Sequence, residues 1–550
     1  GLGDVYKRQL DLTLTTRDRG KAAEDQTPMC GIPYHSSDAY IARLIAKGYK
    51  VAICEQTEDP ALAKGLVKRD IIRVITPGTV IDSACLDDRR GNFLCGIFLD
   101  GQNAGAAFCD MTTGHTHVTA FSGDDRAEHL YNELSRFSPA EAVLSAGAYD
   151  NGELVEYLCD KLSCAVERGE NRFELKACEK AIRAQFGEER FASLPRNNPA
   201  ASLALGALLS YLHETQKTDL SYIKDLEYYE QGRFMELDLS ARRNLELTET
   251  IRAKEKRGSL LWVLDKTKTP MGGRLLRTWV ERPLLSPVQI RRRLGAVEEL
   301  VGESVLRSEL ICCLREIGDM QRLVSRAVYG SANGRDLHAL ALCCAQLPQL
   351  TALLQNVHSA ALRDIAQMDT LADLCARIDR AICDEPPFSV REGGILRPGY
   401  SEEVDRLRNV RDHGAQTVAE LEQRERERTG AKKLKVGYNK VFGYYIDIPN
   451  SAGITELPED YIRKQTLSTG ERYITEELKE LESTILTAKD RIIALEYELF
   501  TQLRQAVAAE SARVKQTAQA IAQLDVLCSF AAVAVHNNYC RPEVDLGNTV

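Results

Sequence analysis

No apolar run in this sequence approaches the ~20 residues that a bilayer-spanning helix needs, which argues against a membrane protein. The 16 cysteines include no CxxC pair. Cys312-Cys313 and Cys343-Cys344 stand in apolar helical sequence, where a thiol packs as a small hydrophobe. No disulfide framework or zinc site is expected, and the compartment reads as reducing. Positive charge is not in excess, because 71 Lys and Arg face 80 Asp and Glu for a net charge of −9. Contact with a polyanion must therefore come from a local basic patch. GxxxxGK[ST], GxSxG, HExxH and a dinucleotide fingerprint are all missing, so the chain reads as a binder with no catalytic residues, not an enzyme. It opens Gly1-Leu2-Gly3, without an initiator Met or a leader, and stops in a strand-like lead-in at 545–550, so both ends read as cut.

At 550 residues the chain exceeds the ~250 to 300 at which a single core stops growing, and several domains are expected. Residues 10–80 mix short strands (10–14, 49–54, 71–75) with a helix at 38–47, and Thr76-Pro77-Gly78-Thr79 is a turn. A second α/β unit follows, with strands at 93–98 and 106–109 and helices at 126–137 and 200–212. It holds 24 acidic and 14 basic residues over 87–230, a balance that repels DNA and suits a connector. Beyond about 235 the pattern is helical. Ser401, followed by Glu402 and Glu403, is an N-cap for a helix running to Gly430. The stretch 471–541 has no Gly or Pro, and Leu478, Leu481, Ile485, Ala488, Ile492, Leu495 and Leu499 form a coiled-coil-like stripe. Thirty helical residues reach ~45 Å, so whatever joins these helices stands well away from their base.

The joining segment is different in kind. Leu434, Val436 and Tyr438 alternate with Lys435 and Gly437, and an apolar run follows over 441–448, a hairpin signature. Residues 424–440 carry seven basic and two acidic side chains, and Arg463, Lys464 and Arg472 recur beyond. Such a patch holds phosphates without reading sequence. The same residues could equally be a solvated helix end, as Arg424-Glu425-Arg426-Glu427-Arg428 partly is. Elsewhere Asp110 ends a strand in Phe108-Cys109-Asp110-Met111, but one carboxylate does not make a phosphoryl-transfer metal site. His115 and His117 share a strand face without the further ligands zinc requires. The fold class expected is multidomain α/β plus mainly α, with two small α/β domains, a long-helix domain and a small β module at the helix tips.

Four stretches resemble the MutS family of bacterial DNA mismatch recognition proteins. They are Met29-Cys30-Gly31-Ile32-Pro33-Tyr34-His35 with Val51-Ala52-Ile53-Cys54-Glu55-Gln56; Val74-Ile75-Thr76-Pro77-Gly78-Thr79; Thr269-Pro270-Met271-Gly272-Gly273-Arg274-Leu275-Leu276; and Leu434-Lys435-Val436-Gly437-Tyr438-Asn439-Lys440-Val441-Phe442-Gly443-Tyr444-Tyr445-Ile446. The resemblance implies a partial mismatch-binding domain at 10–82, a ribonuclease-H-like connector at 83–230, lever and core helices at 231–424 and 476–541, a DNA clamp at 425–475 and, at 542–550, the start of a missing ATPase domain. It also implies DNA contacts at Lys432, Lys433, Lys435, Lys440, Arg463, Lys464 and Arg472 in the clamp, and at Arg17, Arg69 and Met29 in the mismatch domain.

The implied partners are double-stranded DNA with mismatches or small loops, a second subunit of a homodimer and a MutL-type repair protein, in a cytoplasmic, nucleoid-associated setting. No cofactor is expected in this chain, while ATP and Mg belong to the missing ATPase domain. The family's Phe-x-Glu reader has no counterpart in Gly3-Asp4-Val5-Tyr6-Lys7, since Val5 lacks a ring to stack and Lys7 cannot accept a hydrogen bond. Residues 1–9 therefore read as a non-native junction. Three other readings stay open: a scaffold of long helices with an incidental basic tip, a nuclease built on Asp110, and a paralogue without mismatch function.

Overall fold

The structure is a computed structural model that describes residues 14–16, 20, 28–32, 37–56, 58, 67–81, 86–217, 220, 223–230, 234–439, 443–452, 457–458, 460–467 and 469–547. Residues 1–9, Arg17 and Lys440 lie outside them. The chain divides into two compact units, one of residues 1–331, 342–372 and 508–550, the other of residues 332–341 and 373–507.

The first unit begins with a two-stranded antiparallel pair, β1 (Leu14–Thr16) and β2 (Pro28–Cys30). Helix α1 (Ser37–Ala46) and a second antiparallel pair, β3 (Val51–Gln56) and β4 (Arg69–Ile75), follow. Ile45, Ile75 and Val80 close a small core between them.

A six-stranded sheet then forms from β5 (Phe93–Leu99), β6 (Asn103–Asp110), β7 (His115–Ser122), β8 (Glu141–Leu144), β9 (Ala165–Arg168) and β10 (Asp225–Tyr228), in the order β10-β7-β6-β5-β8-β9. Helix α2 (Arg126–Phe137) buries Leu130, Leu134 and Phe137 against one face. Helix α3 (Ala200–Gln216) covers the other. It lies so close that a Cβ on Gly105 would stand 2.2 Å from the Ala200 carbonyl oxygen, which is why β6 carries glycine there.

The turn Thr76-Pro77-Gly78-Thr79 is fixed onto this sheet by a fully buried carboxylate. Glu141 accepts hydrogen bonds from the Thr76 hydroxyl, from the Gly78 amide at 3.1 Å and from the Tyr211 hydroxyl at 2.6 Å, with the Lys50 ammonium 3.3 Å away. Burial next to that carboxylate pushes the Tyr211 phenol well up.

Three helices of the first unit matter below: α4 (Leu239–Asn244), α5 (Pro270–Glu281) and α6 (Met320–Tyr329). The motif Thr269-Pro270-Met271-Gly272-Gly273-Arg274 opens α5, with Thr269 as N-cap and Pro270 in the first turn. Asp525 accepts from the Lys268 and Thr269 amides and the Thr269 hydroxyl at 2.7 to 3.0 Å, and a Cβ on Gly272 would stand 2.2 Å from it. Arg274 forms a two-pronged ion pair with Asp319 (2.5 and 2.8 Å) and donates to the Asp88 carbonyl. Arg322 donates to the Asp87 and Arg90 carbonyls and pairs with Asp88 at 3.2 Å. Two guanidiniums, Arg322 buried and Arg274 half-buried, thus grip the segment leading into the six-stranded sheet.

The second unit contains two long helices, α7 (Glu402–Thr429) and α8 (Glu476–Ala509). Ser401 caps α7 through the Val404 amide, and Gly430 ends it in the left-handed region at φ 69°. Leu407 packs with Ala488 and Ile492 near their base, while Leu421 and Leu478 join one core at the other end, so the helices run antiparallel.

Between them sits a four-stranded antiparallel sheet of β11 (Lys435–Asn439), β12 (Gly443–Pro449), β13 (Ile462–Thr466) and β14 (Gly470–Ile474), in the order β11-β12-β14-β13. The Gly- and Pro-free stretch 471–541 opens with a strand, because 471–474 belong to β14, paired on both sides. The rest of the stretch forms two helices, α8 ending at Ala509 and α9 (Ser511–Asn537) beginning in the first unit. Helix α9 is more apolar than the sequence reading allowed, with an 18-residue window of mean hydropathy 1.6, but 61% of that window is buried within the fold, as in a core helix.

Candidate nucleic-acid interface

The basic run after α7 separates into two groups once its partners are visible. Arg424 pairs with Glu477 at 2.6 Å, Arg426 with Glu422, and Arg428 with Asp460 at 2.7 Å. These arginines hold the module on its helices. Arg426 also donates to the Leu434 carbonyl at 2.7 Å, and Glu422 accepts from the Val436 amide at 2.8 Å. Glu425, only 3% exposed, accepts from the Tyr461 hydroxyl at 2.6 Å, and its charge with burial drives that phenol well up.

The lysines are placed otherwise. The Leu434 amide donates to the Ala431 carbonyl at 2.9 Å, closing a turn whose two ends are fully buried. Lys432 and Lys433 occupy its middle and are exposed. Lys435 follows as the first residue of β11, also exposed, in register with Asp447 and, one strand further, with Arg472. Period-two alternation puts Val436, Tyr444, Ile446, Ile448 and Tyr473 on the core face and Lys435, Asp447 and Arg472 on the opposite one. Lys464 is exposed in the bulge of β13. Among the described residues, no carboxylate pairs with Lys432, Lys433, Lys435 or Lys464.

Arg463 and Arg472 differ from these lysines. Arg463 pairs with Glu471 at 3.1 Å. Arg472 lies 4.3 Å from the Tyr445 ring centroid and donates to Gln465 at 3.0 Å. Their partners stand 8 and 27 positions away by residue number, and the sequence offered no signal for either.

In the first unit Arg69 is exposed at the first position of β4, opposite Gln56, with no carboxylate partner among the described residues. Met29 lies in β2, opposite Thr15. Asp110 is 3% exposed and its Oδ1 accepts from both the amide and the hydroxyl of Thr112. It therefore closes the turn after β6 and sits beside Arg274 and Arg322, whose charges it supports. His115 and His117 share one face of β7, each opposite a carboxylate of β10, Asp225 at 3.6 Å and Glu227 at 3.2 Å. Among the described residues, no three His, Cys, Asp or Glu side chains are grouped to hold a metal.

Mixed α/β layers, many helices and a basic β module between two long helices define a multidomain protein of the kind the motifs suggest. Three family models match: MutS domain I over residues 4–84, MutS domain II over 92–224 and MutS domain III over 240–531, the last covering more than half of the chain. The chain belongs to the MutS family. It is 47% identical over 546 residues to the DNA mismatch repair protein MutS of Acetivibrio thermocellus, a match covering 98% of this chain and 62% of that protein. It is 45% identical over 560 residues to the protein of that name from Ruminiclostridium cellulolyticum, and 45% identical over 564 residues to that from Alkaliphilus oremlandii. Each of these two matches covers all of this chain and 64% of the relative. The chain therefore spans roughly two thirds of the length of these relatives at most.

Proposed function

We propose that this chain is the DNA-holding part of a DNA mismatch repair protein, and that the four-stranded module grips the phosphate backbone of double-stranded DNA as a clamp carried by two lever helices. The observation carrying this reading is the division of the basic residues, in which the arginines after α7 are neutralised by the scaffold while Lys432, Lys433, Lys435 and Lys464 are exposed with no carboxylate partner among the described residues. A solvated helix end would have no reason to pin both ends of a turn and present two lysines from its middle. Lys440 belongs to this contact set, with Arg69, Arg17 and Met29 contributing from the mismatch domain. Arg463 and Arg472 shape the sheet and act on DNA secondarily.

In this reading residues 10–82 are part of the mismatch domain, 83–230 the connector, 231–424 and 476–541 the levers and core, 425–475 the clamp, and 542–550 lead into an ATPase domain. ATP and Mg, homodimer formation, mismatched or looped DNA as substrate, the MutL-type partner and a cytoplasmic, nucleoid-associated location belong to the intact protein. The chain itself binds DNA without hydrolysing ATP. Without a Phe-x-Glu reader, it holds matched and mismatched duplexes about equally.

Titration of both duplexes at two salt concentrations tests this. Five phosphate contacts, from Lys432, Lys433, Lys435, Lys440 and Lys464, give a log–log salt slope of about −4.5, or ~500-fold weaker binding between 50 and 200 mM salt. Salt-independent binding, or a strong preference for the mismatch, would sink the reading. The scaffold alternative predicts that DNA retention survives reversal of the lysines, and the nuclease alternative predicts metal-dependent cleavage lost in Asp110→Asn.

A further inference from the structure

A half-open pocket in the first unit has walls from β7, α2, the segment after β10, α4 and the end of α5, and it gathers three guanidinium groups: Arg136, Arg242 and Arg282. Arg282 is 9% exposed and lies 4.6 Å from the Tyr229 ring centroid and 4.8 Å from that of Phe234. Contacts with ring faces satisfy the charge but not the in-plane N–H groups. Its Nε and Nη2 are buried without a hydrogen-bond partner among the described residues, and so are Nε and Nη1 of Arg242. Four open donors on two guanidiniums in one pocket are costly unless something completes them.

Three of the pocket's carboxylates already have partners other than Arg242 and Arg282. Glu133 takes Arg136 at 2.6 Å and the Tyr229 hydroxyl at 2.5 Å, Glu281 takes Arg277 at 3.3 Å, and Glu236 lies 3.6 Å from His129. Glu230 is exposed. Burial, followed by the nearby Arg136 charge, lowers Arg282 to about 10, and burial lowers Arg242. Both stay cationic at neutral pH while gaining from an anion.

We propose that this pocket binds an oxyanion of the phosphate class, with Arg282 and Arg242 donating from their open N–H edges while Arg136 stays paired with Glu133. The anion's source is either free inorganic phosphate or a phosphate group of a nucleotide.

Thermal unfolding of the 550-residue chain in millimolar inorganic phosphate, in ADP, and in potassium chloride at matched ionic strength tests the proposal. Phosphate should raise the midpoint by a few degrees over chloride. The rise should disappear in Arg242→Gln, whose half-exposed position tolerates the change, and in Arg282→Gln if that variant folds. It should persist in Lys432→Glu/Lys433→Glu/Lys435→Glu. A larger rise with ADP than with phosphate, both lost in Arg242→Gln, identifies nucleotide as the source, whereas equal rises identify free phosphate. No rise over chloride, a rise retained in Arg242→Gln, or a response to ADP without one to phosphate overturns the proposal.

Discussion

Arginine and lysine do opposite work in two parts of this molecule. At the start of α5 and in α6, Arg274 is half-buried and Arg322 buried, and they donate to Asp319, Asp88 and three backbone carbonyls, knitting the segment ahead of the six-stranded sheet to the helical core. At the end of α7, Lys432 and Lys433 stand on a pinned turn with no carboxylate partner among the described residues. The difference lies in what surrounds each charge, not in how many there are. A guanidinium fork suits fixed planar partners, while an ammonium on a mobile stem suits phosphates whose positions vary.

Breaking the first region should give the largest effect. Asp319→Ala removes the carboxylate that takes both prongs of Arg274, and about 3 to 5 kcal/mol of stability should be lost in chemical denaturation. The same pair sharpens the comparison through pH. Burial raises the Asp319 carboxyl, but Arg274 and Arg322 more than reverse this and hold it below the usual range. A carboxylate depressed in the folded state contributes stability that is fully present above its unfolded value near ~3.9 and disappears as pH falls through the lower folded value. The stability gap between the parent chain and Asp319→Ala should therefore be full at neutral pH and close only in that acid window.

Next in size is Glu425→Gln, which weakens the buried acceptor of Tyr461 and should cost ~1 to 3 kcal/mol, with the midpoint falling before DNA affinity does. Reversal of Lys432, Lys433 and Lys435 to Glu should do the opposite. It should leave the unfolding midpoint unchanged while DNA affinity drops at least tenfold and the salt slope flattens by about 3. The smallest effect is expected for Arg463→Gln, whose exposed pair with Glu471 should leave both midpoint and affinity within error. If Arg463→Gln weakened DNA binding as much as the lysine reversal, the division between paired and open cations would fail.

Much of the scaffold was legible because local chemistry and final structure agree. The helix read at 126–137 is observed as Arg126–Phe137, Ser401 caps α7, and Gly430 ends it. Of the stripe along α8, Leu478, Ala488 and Ile492 are buried, and Leu481, Leu495 and Leu499 are half-buried. The strand at Gly470–Ile474 was not legible. Nothing in Glu471-Arg472-Tyr473-Ile474 punctuates it from the helix that follows, and only pairing with β12 and β13 makes it extended. The break at Glu510 likewise lacks a Gly or Pro.

The candidate interface was visible as a surplus of cations, but not which of them are open. The partners of Arg424 and Arg428 lie 53 and 32 positions away, beyond any local rule. Nor could Thr76-Pro77-Gly78-Thr79 announce that its counterpart is Glu141, buried 63 residues further on.

The two long helices meet the small sheet only at their ends, and that carries a mechanical consequence. Helix α7 has 28 residues and is ~42 Å long. A rotation of one degree where Leu407 meets Ala488 and Ile492 would displace the turn bearing Lys432 and Lys433 by ~0.7 Å, about a quarter of a hydrogen-bond length. If the proposed lysine contacts form, a few degrees at the base would carry an ammonium out of reach of a phosphate oxygen, through packing changes too small to disturb either core.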